Sequence, residues 1–339
     1  MEAVEQTGAP RGAPVAASPG RPPRRARAGA GRFLALRAAQ GLVVVIGAVL
    51  ISFLLGNIGG SPVDRLGGFL TAEQRAALSH QLGYDRPVGT RLLEYLGRVS
   101  HGDFGQSINR GGSAAAAVLH ALPATAALIG VAVAFSLTLA VLLASHSVLH
   151  RERPLDRAAR GSLFVMQGMP EFFVGLMLVL IFAVNLQWLP SIGFDGPRSL
   201  ILPALTLSVG LVPSMTRVLR NEMLDVMQQE FVTGLRARGL SARRIVVRHV
   251  LRNAAPPFVT ILALQIGWLL GGTLIVESVF GWPGMGDLLF NASKARDITV
   301  VQAIVTLVAV GYVVVNLCAD LLVVGLDPRT RLGGASDGR

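Results

Sequence analysis

Long, almost unbroken apolar runs dominate this sequence, and they leave a 339-residue chain few ways to fold. About 20 apolar residues cross a hydrocarbon core roughly 30 Å thick. Inside that layer the backbone must satisfy its own N–H and C=O groups, which favours helices. Six runs approach that length: residues 38–58, 121–144, 163–186, 200–215, 258–280 and 298–326. The fourth is the weakest, because Pro203 and Pro213 interrupt it and Arg217 closes it early. Only 15% of the residues are charged and 52% are hydrophobic, with a mean hydropathy of +0.55. A soluble domain of this size needs more charge to cover its surface. The sequence thus predicts an all-α polytopic membrane protein with about six transmembrane helices and both chain ends on one side.

The basic residues set the orientation. Arginine supplies 30 of the 31, Lys294 is the other, and the formal net charge is +11. So basic a chain raises nucleic acid as a partner. Here the arginines lie between apolar runs with no interleaved aromatics, so topology is the better account and no nucleic-acid partner is expected. Seven arginines precede the first run, four (Arg151, Arg153, Arg157, Arg160) separate the second from the third, and eight lie between the fourth and fifth. The other side carries Arg198 in one loop and Lys294 and Arg296 in another. The long loop 59–113 holds six arginines, but five acids accompany them, and long loops follow the rule poorly. Both termini are therefore expected in the cytoplasm.

Residues 1–31, rich in Pro, Gly, Ala and Arg, show no apolar periodicity and read as a disordered tail. Arg24-Arg25 ahead of an apolar stretch invites a signal-peptide reading. The run 38–58 is long for that and has no clear cleavage site after it, so it reads as a retained span. Cys318, the only cysteine, excludes an internal disulfide. Neither a phosphate-binding Gly-x-x-x-x-Gly-Lys-Ser/Thr loop nor His-Glu-x-x-His occurs. His146 and His150 have i,i+4 spacing, but a solvated pair at a span end is the simpler account.

Several polar residues fall inside the spans, where an ionised group at a helix centre costs about 2.5–3.5 kcal/mol. Gln167 and Glu171, four apart, would share one face of the third span. Glu277 ends the fifth, and Asn316 and Asp320 share a face of the sixth. Bonding between helices is favoured for Glu171 and Asp320, while Glu277 fits equally a place on a solute path. Gly267 and Gly271 have the spacing that lets membrane helices approach closely. The turn Gly281-Trp282-Pro283-Gly284-Met285-Gly286 fits either an outer gate or a plain tight turn.

The segment 230–253 is the most informative. Gly239 reads as a helix stop and Ser241 as the N-cap of a second helix starting at Ala242. Two short helices would then meet at a cytoplasmic corner, with Leu235 and Leu240 as an apolar tip ringed by arginines. Composition alone fits either a docking corner or a basic loop that serves topology only.

This segment resembles the coupling loop of ABC importer permeases of the dipeptide/oligopeptide/nickel family. It keeps Glu230, Ala237, Gly239, Leu240 and Leu251-Arg252-Asn253-Ala254, and departs at Gly234 and Leu235. Further similarity lies in Ser61-Pro62-Val63-Asp64, Leu82-Gly83-Tyr84-Asp85-Arg86-Pro87, His101-Gly102-Asp103-Phe104-Gly105 and Leu122-Pro123-Ala124-Thr125. The run 271–286, Asn316 to Asp320, and Asp327-Pro328-Arg329 complete it, so that the resemblance to the family's first permease subunit spans residues 33–332.

The resemblance implies the MetI-like ABC importer permease fold in a bacterial inner or plasma membrane. It divides the chain into a tail 1–31, a first helix and extracytoplasmic loop 32–113, a transmembrane core 114–327 with a coupling loop 217–256, and a cytoplasmic tail 328–339. It implies a second homologous permease, two cytoplasmic ATPase subunits, an extracytoplasmic solute-binding protein and surrounding lipid as partners. ATP and Mg would sit on the ATPases, with no catalytic, metal or cofactor site in this chain. ATPase coupling would fall to Glu230, Thr233, Gly234, Leu235, Ala237, Gly239, Leu240, Arg252 and Asn253. Candidates for the translocation path or gate are Gln167, Glu171, Glu277, Trp282, Gly284 and Asp320. The solute would be a dipeptide or oligopeptide, alternatively nickel or a nickel chelate. An ion-gradient-driven secondary transporter is the rival class; it would need path carboxylates and often an inverted repeat, which is not seen.

Overall fold

The computed structural model describes residues 24–58, 71–81, 85–107, 109, 111–151 and 153–326. The start of the expected tail, the Ser61–Asp64 and Leu82–Tyr84 motifs, and everything from residue 327 lie outside these. Eleven helical segments follow one another among the described residues: α1 Arg24–Ile58, α2 Ala72–Gln81, α3 Val88–Ser100, α4 Ala114–Leu149, α5 Pro154–Gln167, α6 Glu171–Asn185, α7 Pro197–Met227, α8 Glu230–Ala237, α9 Ala242–Phe280, α10 Met285–Lys294 and α11 Ile298–Leu326. Five are long and apolar enough to cross a membrane, and six if the bent pair α5–α6 counts as one span.

The centre of the bundle is the helix that looked weakest. In its most apolar window α7 is 72% buried, against 22–28% for the other four long spans. A helix surrounded by protein needs less hydrophobicity than one facing lipid, so its hydropathy understates it. Pro203 lies in the first turn of the α-helical part, where its missing N–H costs little. Pro213 is carried inside the helix, where hydroxyls bond back to the backbone: Thr206 to Leu202 O (2.8 Å), Ser208 to Ala204 O (2.7 Å) and Ser214 to Leu211 O (2.9 Å). Arg217 does not end it; the helix runs on to Met227.

α7 packs most extensively on α4, whose buried stripe includes Ala132, Ser136, Ala140 and Ala144, all 0% exposed. Four small residues at four-residue spacing let two backbones approach closely. α9 packs on α7 and touches α4 as well, α11 packs on α9, and α1 on α11.

Three expectations are corrected. First, α1 begins at Arg24, so residues 24–31 prolong the first helix instead of belonging to the tail. The Ala- and Arg-rich run after Pro22-Pro23 favours helix, and it contains no proline to interrupt it. Second, residues 163–186 are not one straight span. α5 and α6 meet at 104°, across a break at Gly168-Met169-Pro170. Proline restricts the residue before it and lacks an N–H, so the helix stops and restarts. Gln167 ends one helix and Glu171 begins the next; they do not share a face. Third, the helix after Ser241 is not short. It continues for 39 residues to Phe280, about 58 Å, through a π-helical stretch at Val246–Val250 and Pro256-Pro257.

The long loop 59–113 also contains structure that hydropathy does not reveal. Tyr95 of α3 packs with Val49 and Phe53 of α1, its ring stacked on Phe53 at 5.5 Å. Asp297 accepts from the Ser107 hydroxyl and from the Val300 N–H, tying the loop to the start of α11.

The bent pair connects the two ends of the bundle. At the arginine-rich end, Arg220 of α7 donates to Ser147 of α4 (2.7 Å), whose hydroxyl donates to Asp156 of α5. At the opposite end, Gly193 N–H donates to Phe280 O (2.8 Å), and the Phe194 ring meets Trp282 edge-on at 5.4 Å. α5 therefore lies at the arginine-rich end, and α6 leads from the bend toward the opposite end.

The small-residue contacts make a prediction. A Cβ at Gly267 would lie 2.6 Å from the Tyr312 ring of α11, whereas Gly271 faces open space. Gly267→Val should cost about 1–3 kcal/mol through overpacking and lower the thermal midpoint of the detergent-purified protein by several degrees. Gly271→Ala should leave that midpoint unchanged or raise it.

Candidate functional site

The corner between α7 and α9 is built by one short helix and its stop. Glu230 sits in the first turn of α8, where an acid suits the positive end of the helix dipole. The helix ends with two reversed bonds, Gly239 N–H to Arg236 O (2.9 Å) and Leu240 N–H to Leu235 O (3.3 Å). Gly239 has φ +79°, the left-handed conformation such an ending demands. Leu235 and Leu240, the pair that flanks this motif, pack inward on the main apolar core beside fully buried Val232. They anchor the corner and do not form the exposed apolar tip expected from sequence. The exposed surface consists of Phe231, Thr233, Gly234, Ala237 and Gly239, with arginines around it. Ser241 stands at the N-cap with extended backbone, but its side chain makes no capping bond. Arg252 and Asn253 lie along α9, about 18 Å from Leu240, and the Asn253 amide donates to His249 O (2.8 Å) on its own helix.

The far end of α9 stops in the same way. Trp282 N–H donates to Glu277 O (2.9 Å) and Gly281 N–H to Ser278 O (3.4 Å), with Gly281 at φ +56°. The Glu277 side chain is 0% exposed. One carboxylate oxygen accepts from Thr125 of α4 (2.8 Å), the other from Gly286 N–H (2.6 Å) and Asp287 N–H (3.2 Å). Thr125 in turn accepts from Met285 N–H (2.7 Å). Glu277 and Thr125 together cap the first turn of α10, satisfying donors that have no partner within that helix. Gly284 leaves no room for a side chain beside Glu277 and Thr125, and a Cβ at Gly286 would meet the Leu274 backbone at 2.6 Å. Trp282 is 1% exposed and donates its indole N–H to Ala124 O (2.9 Å).

The remaining path candidates stand apart from this turn. Asp320 of α11 pairs with Arg37 of α1 at 3.0 Å. Gln167 is exposed at the end of α5. Glu171 begins α6 with one carboxylate oxygen against the bare backbone of Gly210 in α7. The six candidates therefore occupy three regions: the turn after α9, the α5–α6 bend, and the α1–α11 contact.

Sequence reasoning missed the buried network at the arginine-rich end. Asp156 is 1% exposed, accepts from Ser147 and pairs with Arg160 at 3.2 Å. Its only sequence signal is an acid within an arginine-rich segment. His146 and His150 do come together, with ring centroids 4.5 Å apart. Among the described residues, no group of three or more His, Cys, Asp or Glu could hold a metal ion.

The chain is similar to known proteins. The model of a family described as binding-protein-dependent transport system inner membrane component matches residues 136–332. The glutathione transport system permease protein GsiC of Salmonella typhi is 32% identical over 289 residues, covering 85% of this chain and 94% of that protein. The oligopeptide transport system permease protein AppB of Bacillus subtilis is 32% identical over 313 residues, covering 88% and 98%. Among solved structures, the inward-facing MetNI methionine ABC transporter matches with a TM-score of 0.53 at 19% identity, over 62% of this chain and 96% of that one. At that identity the likeness concerns the fold.

Two glycines of the corner should respond in opposite directions. Gly239→Ala forces a side chain into the left-handed region at about 1–2 kcal/mol and should lower the thermal midpoint. Gly234 is helical with open space around it. Gly234→Ala should gain up to about 1 kcal/mol and raise the midpoint.

Proposed function

The chain belongs to the family of binding-protein-dependent transport system inner membrane components, and from that membership we propose that it passes a short peptide into a bacterial cytoplasm. It is a multi-pass permease subunit of an ABC importer. The peptide assignment follows the glutathione and oligopeptide permeases to which it is similar. The complete transporter would add a second permease, two ATPases that bind ATP and Mg, and an extracytoplasmic binding protein. This chain would then do no catalysis of its own. Both termini would be cytoplasmic, since the arginine-rich end of a bundle faces that side.

The observation that carries the mechanism is the corner at Gly239. It stands between the end of α7, the central helix, and the start of α9, which runs to the outer turn. Its exposed residues would receive the ATPase, while Leu235 and Leu240 fix it to the core. When ATP closes the ATPases, the push would enter α7 and α9 together instead of dissipating in a flexible loop. Because α9 is continuous, its displacement would reach Gly281–Gly286 on the other side. There Glu277, Trp282 and Gly284 would hold α10 to α9 and α4, so that the outer turn moves as a unit.

Gentle purification of the tagged protein from its own cell tests this reading. Two ATPase subunits and a second permease should come along, and Ala237→Asp, which adds an acid to the exposed face, should reduce ATPase recovery at least tenfold while the second permease stays. Recovery of the chain alone, even after crosslinking, would refute the assembly.

A further inference from the structure

The Glu171 side chain has no hydrogen bond or ion pair with any described residue. It is half-buried and sits about midway along the bundle. Its carboxylate rests on Gly210, 13 residues into α7 from Pro197, or about 20 Å. One turn further along α7, Ser214 accepts from the Gln265 amide of α9 at 2.6 Å. With its nitrogen engaged, Gln265 keeps its amide oxygen as an acceptor. A carboxylate, a hydroxyl and an amide oxygen thus lie within about one turn of each other on three helices. The nearest cation along α7 is Arg217, two turns from Gly210 and less than one turn beyond Ser214.

A helix N-terminus does favour an acid, and Glu171 opens α6. That accounts for a carboxylate in the first turn, but not for its placement against the bare backbone of Gly210. Nor does it supply the water or cation that an ionised group requires at this depth. The 104° bend at Gly168–Pro170 is what swings Glu171 inward from the end of α5.

We propose that Glu171, with Ser214 and Gln265 beside it, receives a cationic group of the solute, the free ammonium of a peptide, as it passes through. An ammonium has three donors and no acceptor, which this set of oxygens suits. The peptide assignment rests on the function proposed above; the site itself requires only a cation.

The test uses the whole transporter in proteoliposomes with its binding protein, and radiolabelled trialanine as the probe. Glu171→Gln should cut trialanine uptake at least tenfold in a complex that still purifies intact, and Glu171→Asp should restore at least a third. Equal uptake by wild type and Glu171→Gln would overturn the proposal. A second measurement does not depend on the solute. With Cys318→Ser removing the only native thiol, Ser214→Cys should favour a cationic over an anionic methanethiosulfonate, and adding Glu171→Gln should lower that rate ratio at least threefold. No reaction in either the nucleotide-free or the nucleotide-trapped state, or a ratio that Glu171→Gln leaves unchanged, would end the proposal. If wild type imports no trialanine but the cationic reagent is preferred, the cation site stands and the peptide reading falls.

Discussion

The close approach of α4 to α7 is the constraint on which the other contacts depend. In lipid, helices gain nothing from hydrophobicity against one another, so association rests on packing and on hydrogen bonds between helices. Ala132, Ser136, Ala140 and Ala144 give α4 a face with almost no side chain to hold the backbones apart. That lets α7 sit in the middle of the bundle with α4, α6 and α9 around it. From this position α7 sets the geometry at both levels that matter. Its end leads directly into the corner at Gly239, and its middle supplies the bare backbone of Gly210 to Glu171.

The end of α8, just before α9, and the far end of α9 are built alike, and this shapes what the permease can do. Each helix stop at the corner and at the outer turn uses a left-handed glycine and a pair of reversed backbone bonds. Such endings fix the direction of the chain sharply. Between them runs a single helix of 39 residues, softened only by the π-helical stretch and the paired prolines near its arginine-rich end. A carboxylate buried with three protein donors, as Glu277 is, costs far less than an unpaired one and holds three elements together. The turn Gly281–Gly286 is therefore a fixed attachment, and the softer places lie toward the corner.

Hydropathy made the spans legible and arginine counts made their order legible, because both are properties of long windows. The centrality of α7 was hidden for the same reason: Thr206, Ser208, Pro213 and Ser214 lower its hydropathy, and they are tolerated because protein, not lipid, surrounds them. The bend between Gln167 and Glu171 has a local signal in Gly168-Met169-Pro170, which a reading by apolar length passes over. Gly239 was readable as a helix stop, since only a left-handed position calls for glycine there. Which way Leu235 and Leu240 point was not, because it depends on the core beneath them. The partners of Glu277 were out of reach altogether: Thr125 is 152 residues away along the chain. Local patterns report backbone conformation, whereas the pairing of buried polar groups is settled by the tertiary fold.

The central claim is that the corner at Gly239 is where ATP-driven motion enters this chain. A photo-crosslinking amino acid placed at Ala237, on the exposed face of the corner, addresses it in living cells. The account predicts a covalent adduct with the ATPase subunit whose yield changes when nucleotide is trapped. Adducts with lipid alone, or no ATPase adduct in any nucleotide state, would contradict it.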